Sequence, residues 1–183
     1  MKTLYTTIIL LFLNSAFSQN VVPIEDRYNT TLQNGQSYYF KDVNGVFDKF
    51  IGTWKYVDGT QTTEIAFFKR EHVSSGSENF HDELYARIKY IKNGTVVYNT
   101  FPATTPANLY RDHNIYGSSI NASDVNRMFR MHYSEPGKGG PSGVLSIEYF
   151  EDGGTSKLNW KALSPETTNT FKIPSAMVLI KQP

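Results

Sequence analysis

Four histidines, His72, His81, His113 and His132, are the residues of this chain best suited to hold a metal or move a proton near neutral pH. They are scattered. No His-x-His and no His-Glu-x-x-His sets two of them on one face, and a metal site needs ligands that converge. A long hairpin could bring His72 and His81 together, yet no spacing supports ligation. The carboxylates are no better arranged. Asp82 and Glu83 are adjacent, so a strand turns them to opposite faces and they cannot act on one substrate. Glu148 stands alone between Ser146 and Phe150. No Gly-x-Ser-x-Gly elbow carries a nucleophile. The run from Gly137 to Gly143 is rich in glycine but lacks the Lys-Ser/Thr ending of a phosphate-binding loop. No nucleophile, base and orienting group can be assembled. The sequence therefore reads as non-enzymatic, with no catalytic residue, no metal and no cofactor.

The elements that would carry these side chains are strands. The 183 residues suit one domain, and 12 Tyr, 12 Phe and many Thr favour a pleated sheet over helix. Phe80 to Lys92 alternates most cleanly. Phe80, Leu84, Ala86, Ile88 and Tyr90 share one face, with Asp82 the exception. His81, Glu83, Tyr85, Arg87 and Lys89 share the other. Asp58-Gly59, Asn93-Gly94 and Asp152-Gly153-Gly154 mark tight turns. Val125, Phe129, Met131 and Tyr133 alternate with Asn126, Arg130 and His132, and Arg127 falls on the apolar side. The expected fold is all-β: a single antiparallel up-and-down barrel of about eight to ten strands. Val43, Val46, Phe47, Phe50 and Ile51 recur at helical spacing, with Asp42 or Asn44 to cap them. This predicts a short N-terminal helix that closes one end of the barrel before Gly52 releases the chain into strand.

Three segments are expected along the chain. Residues 1–18 have the features of a secretory signal peptide: Lys2, an apolar core from Leu4 to Leu13, and a small-x-small site, Ala16-Phe17-Ser18, with cleavage between Ser18 and Gln19. The apolar run is too short for a bilayer span, which needs roughly 20 residues. Residues 19–41 form a weakly patterned leader, and residues 42–183 the barrel. The protein is expected to be exported, to the periplasm or medium. With no cysteine there is no disulfide and no lipid anchor on a cysteine. The formal net charge is +1, and loss of Lys2 leaves 17 basic residues against 17 acidic ones. That balance carries no electrostatic footprint for nucleic acid or an anionic membrane.

Lys49-Phe50-Ile51-Gly52-Thr53-Trp54-Lys55, entered through Phe47 and followed by a strand meander, resembles the lipocalin-like (calycin) barrels. It is most similar to small exported domains of unknown function from Bacteroidota, whose pattern the later Asp82-Glu83-Leu84 also fits. The resemblance implies a barrel and supplies no activity. It implies that Gly52 and Trp54 are structural, with the Trp packed across the closed end, often against a cation from a late strand. Lys181 and Arg127 are the candidates for that cation. Function would then sit at the opposite mouth. The first expectation is a small, largely apolar ligand in the barrel, lined by Arg127, Phe129, Tyr149 and Trp160. Arg127 either meets an anionic head group or reaches solvent. The second expectation is a filled barrel used as a structural or interaction module, with recognition on the outer Tyr-rich face or the 101–108 and 135–143 loops, and an enzyme, which lacks any catalytic set here, is the third.

Overall fold

The computed structural model describes residues 19–74, 76, 79–101, 114–137, 140–164 and 170–183. The expected signal segment with Ser18 and residues 102–108 of the expected 101–108 loop lie outside the described residues. Eleven strands are present among those described: β1 (Asn20–Pro23), β2 (Tyr38–Lys41), β3 (Gly52–Asp58), β4 (Gln61–Ser74), β5 (Phe80–Lys92), β6 (Thr95–Asn99), β7 (Ile115–Gly117), β8 (Arg127–Ser134), β9 (Ser142–Asp152), β10 (Thr155–Leu163) and β11 (Ala176–Lys181).

Eight of them close a barrel. β3, β4, β5, β7, β8, β9, β10 and β11 pair in sequence order, each antiparallel to the next, and β11 returns to β3. Tight turns form several of the hairpins. Asn93 and Gly94 both hold positive φ, 52° and 74°, as a type I′ hairpin requires. Gly153 and Gly154 do the same between β9 and β10, at 58° and 75°.

One edge of β5 is shared out. β2 pairs in parallel with its start, at Tyr39↔Phe80 and Phe40↔His81. β7 takes the middle through Leu84↔Gly117, Tyr85↔Tyr116 and Ala86↔Ile115, and β6 takes the end. β1 lies parallel to β2 outside the ring. The leader therefore joins the sheet.

The inward face is one apolar cluster. Trp54, Ile65, Phe67, Leu84, Ala86, Ile88, Tyr90, Met128, Met131, Tyr133, Ile147, Leu158 and Leu179 are fully buried in it.

The predicted N-terminal helix is corrected. Residues 43–50 form successive turns, and no α-helix occurs among the described residues. Two causes are visible. Gly45 sits at φ +64°, outside the helical region. The Asp42 carboxylate takes the Val46 amide at 2.7 Å and the Phe47 amide at 3.4 Å, so these bonds replace a helical ladder. The apolar spacing still buries Phe47 and Phe50 completely, and they close the lower end.

Gly52 and Trp54 form the joint above that plug. Gly52 has φ +116°, which disfavours any side chain. Trp54 is fully buried, donates from Nε1 to the Phe50 carbonyl at 2.7 Å, and meets Tyr149 edge-on at 6.4 Å. Lys181 lies over its ring, with Nζ 5.2 Å from the centroid. Arg127 does not take that place.

Candidate functional site

The four side chains expected to line a ligand chamber do not converge. A β-bulge in β8 is the reason. Met128 pairs with Ile147 and Met131 with Leu145, so three steps on β8 match two on β9. Arg130 takes up the extra residue at φ +55°. The alternation changes phase there. Met131 and Tyr133 face inward as expected, but before the bulge it is Met128 that points in. Arg127 and Phe129 are thus on the outer wall, which corrects the placement of Phe129 in the chamber and leaves Arg127 reaching solvent, the second of its two expected positions. Arg127 is exposed, donates from Nε to Ser146 Oγ at 3.3 Å, and lies between two shallow outer depressions of about 440 and 340 Å³. Phe129 packs on Tyr28 of the leader, with ring centroids 5.6 Å apart. Tyr149 does face inward, at the lower end, where it touches Phe50 and Trp54. Trp160 is core, edge-on to Tyr133 at 5.3 Å.

Both ends of the barrel are tied by a buried carboxylate. At the lower end, Asp82 is fully buried. It accepts from the Tyr39 hydroxyl at 2.5 Å, the Asp42 amide at 2.9 Å and the His72 amide at 3.1 Å. A second bulge, between Arg70 and Val73 in β4, places His72 for this contact at φ +56°. Burial, and then the hydrogen bond to Asp82, push the Tyr39 phenol well above its ordinary range. Asp42 in turn pairs with Lys69 at 3.3 Å, yet burial outweighs that cation and raises its carboxyl. These contacts join leader, turns and bulge into one polar knot.

At the upper end the tie is Glu135. It is 2% exposed and accepts from the Ile173 amide at 2.6 Å and the Tyr98 hydroxyl at 3.2 Å. Phe171 packs on Tyr133 at 4.7 Å, and Ile173 is buried. The segment beside Glu135 therefore covers the end where an open mouth was expected. Burial first, and Glu135 second, raise the Tyr98 phenol to about 12. Burial also pushes Tyr133 far up, and its hydroxyl has no hydrogen-bond partner among the described residues.

The histidines do not assemble either. No group of three His, Cys, Asp or Glu able to hold a metal occurs among the described residues. His72 stacks on Phe80 at 4.0 Å and His81 lies 3.6 Å from Glu83, which Arg70 also engages. His113 lies outside the described residues.

What converges is on the outer wall. Phe68 on β4 pairs with Tyr85 on β5, Tyr85 with Tyr116 on β7, Tyr116 with His132 on β8, His132 with Val144 on β9, and Val144 with Leu163 on β10. Direct cross-strand neighbours share a face. The six side chains therefore form one belt around most of the barrel. Phe68 stacks beside Tyr85 at 5.3 Å, and Tyr116 beside His132 at 4.6 Å. Phe68, Val144 and Leu163 are 39%, 43% and 60% exposed. Burial lowers the pKa of His132, which favours its uncharged ring.

A model of a family of unknown function, DUF6705, matches residues 1–134. The chain belongs to this family. The DUF6705 match ends at Ser134, the last residue of β8, and so takes in the four aromatic members of the belt along with Gly52, Trp54 and Asp82. Val144, Leu163 and the Glu135 tie lie beyond it. No curated protein and no solved structure matches the chain.

Proposed function

We propose that this DUF6705 member is an exported, lipocalin-like recognition module without catalytic activity, and that it binds through the outer wall of its barrel. The belt from Phe68 to Leu163 carries this reading. A continuous row of half-buried rings flanked by exposed Phe68, Val144 and Leu163 marks a place that something covers. A ligand in the barrel is the competing reading, and two observations weigh against it. The described inward side chains pack against one another, and Glu135 holds Ile173 and Phe171 over the upper end. The lipocalin-like assignment draws support from the closed eight-stranded meander and from Lys181 over Trp54. Export draws support from the first 18 residues alone.

The test is hydrogen-exchange footprinting of the purified protein with and without an extract of its own cell envelope, alongside native mass spectrometry. Protection of β4, β5, β7 and β8 on the belt is the expected result. A copurified small molecule whose removal changes only Tyr149 and Trp160 would put the site in the barrel and overturn the proposal. N-terminal sequencing of protein from the periplasm or medium should begin at Gln19. An intact Met1 there would refute export by cleavage.

A further inference from the structure

The belt has a charge as well as a shape. Arg87 follows Tyr85 on the outer face of β5, Lys161 precedes Leu163 on that of β10, and Arg130 is exposed in the bulge that precedes His132. None of these cations has an ion-pair partner among the described residues. The carboxylates of the neighbouring rows are engaged. Glu83 is held by Arg70, and Glu64 by Lys55 and Lys89, while Glu148 accepts from the Asn159 amide at 3.4 Å. Arg87 and Arg130 therefore border the four flat rings with uncompensated positive charge, and Lys161 carries that charge on to the aliphatic end of the belt.

Resting on the outer-wall reading, we propose that the belt takes an acidic polysaccharide, a chain of sugar rings that carry carboxylate groups. The rings from Phe68 to His132 lie on four adjacent strands, spaced about 4.8 Å apart, so they offer a platform about 14 Å long. That suits a short run of linked pyranoses, whose C–H faces stack on aromatic rings while their edges stay wet. Arg87 and Arg130 present the guanidinium forks that bind carboxylate.

A peptide fits less well. At this level β4, β5, β7 and β8 are each paired on both sides, so no free edge can take an added strand. The four strands belong to a closed sheet, whose outer face curves away from a long helix. Single-stranded nucleic acid also stacks on aromatic rows. It needs a stronger positive field than a chain of net charge +1 supplies.

Affinity electrophoresis of the full chain through gels that contain polygalacturonate, neutral dextran or no polymer tests this. Polygalacturonate should retard the protein, and dextran should not. Tyr116→Ala and Phe68→Gln should each weaken binding at least about fivefold, since one stacked ring contributes on the order of 1 kcal/mol or more. Arg87→Gln with Arg130→Gln should weaken it and flatten its salt dependence. Circular dichroism and urea midpoints keep folding apart from binding, and Phe68 is exposed enough to be changed without loss of the fold. Equal retardation by dextran would overturn the acidic class. So would a tighter complex with an oligothymidylate, or a belt masked by self-association in light scattering. If polygalacturonate fails while the envelope footprint maps to the belt, the ligand class is wrong and the wall reading stands. If polygalacturonate binds wild type and ring variants alike, the wall reading itself falls.

Discussion

Replacing Asp82 by alanine removes the acceptor of three donors at once: Tyr39 Oη, the Asp42 amide and the His72 amide. A hydrogen bond to a charged acceptor contributes about 1.5–3 kcal/mol net, and a buried donor left unpaired costs about 1–3 kcal/mol. The terms overlap, because Tyr39 can rotate and water can enter beside the exposed His72. A loss of about 3–5 kcal/mol follows, comparable to removal of one partner from a buried charge pair. Asp82→Asn separates the terms. Its oxygen, placed where Oδ1 now lies, keeps the bonds from Tyr39 and His72. Its amide then faces the Asp42 N–H, donor against donor. The expected cost is about 1.5–3 kcal/mol, the value of one lost bond. Urea unfolding measures both variants, and an unchanged slope shows that the denatured states are comparable. Native-state hydrogen exchange adds location: β1, β2 and the 42–50 turns should lose protection before β9 and β10 do. The reasoning fails if Asp82→Ala stays within about 1 kcal/mol of wild type, or if Asp82→Asn is as damaging as Asp82→Ala. Either result would mean that the knot is ornamental and that packing alone holds the leader.

Trp54→Ala empties a fully buried site between Phe50, Tyr149 and Lys181, and should cost about 3–5 kcal/mol by thermal or chemical unfolding. It should leave the ligand affinity of any folded fraction unchanged, because the belt lies on the other side of the wall; a stable variant that no longer binds would contradict this. Tyr98 titrates above its ordinary pKa of 10, so the folded state holds its proton more tightly than the unfolded state does. Its contribution to stability is full below pH 10 and is lost as pH rises from 10 towards about 12. Tyr98→Phe should flatten the stability profile in that window, and an unchanged profile would remove Tyr98 from the upper tie.

Much of the barrel was legible because its signals are local. Asn93-Gly94 and Asp152-Gly153-Gly154 sit where two-residue turns need positive φ, and β5 alternates as a strand with one wet face must. Even its exception carried information: Asp82 breaks the apolar pattern because a polar knot needs it there. The helix over 42–51 misled because helical spacing and a chain of turns bury the same residues. Gly45 and a capping Asp42 decide between them, and neither changes the apolar period. The bulge at Arg130 leaves no mark in composition, so Phe129 came out on the wrong face and Arg127 was left between two positions. Glu135 hid in a glycine-rich stretch that reads as a surface loop. The belt was least accessible, since it depends on which residues of six strands fall opposite one another. Register arises from turn lengths and barrel stagger together, which no single window of sequence contains.

The divided edge of β5 has a mechanical consequence. A long strand with one partner can slide by two residues and keep its faces, losing little but its ends. β5 cannot. Its start is gripped by a parallel strand, its middle by an antiparallel one and its end by its own hairpin. A slip that suited one would break the other two. Gly117 tightens the lock, for a side chain there would press on the Met131 backbone at 3.1 Å. Three short, individually weak strands thus act as a ratchet that admits one position. They fix Tyr85 against Tyr116, the central pair of the belt.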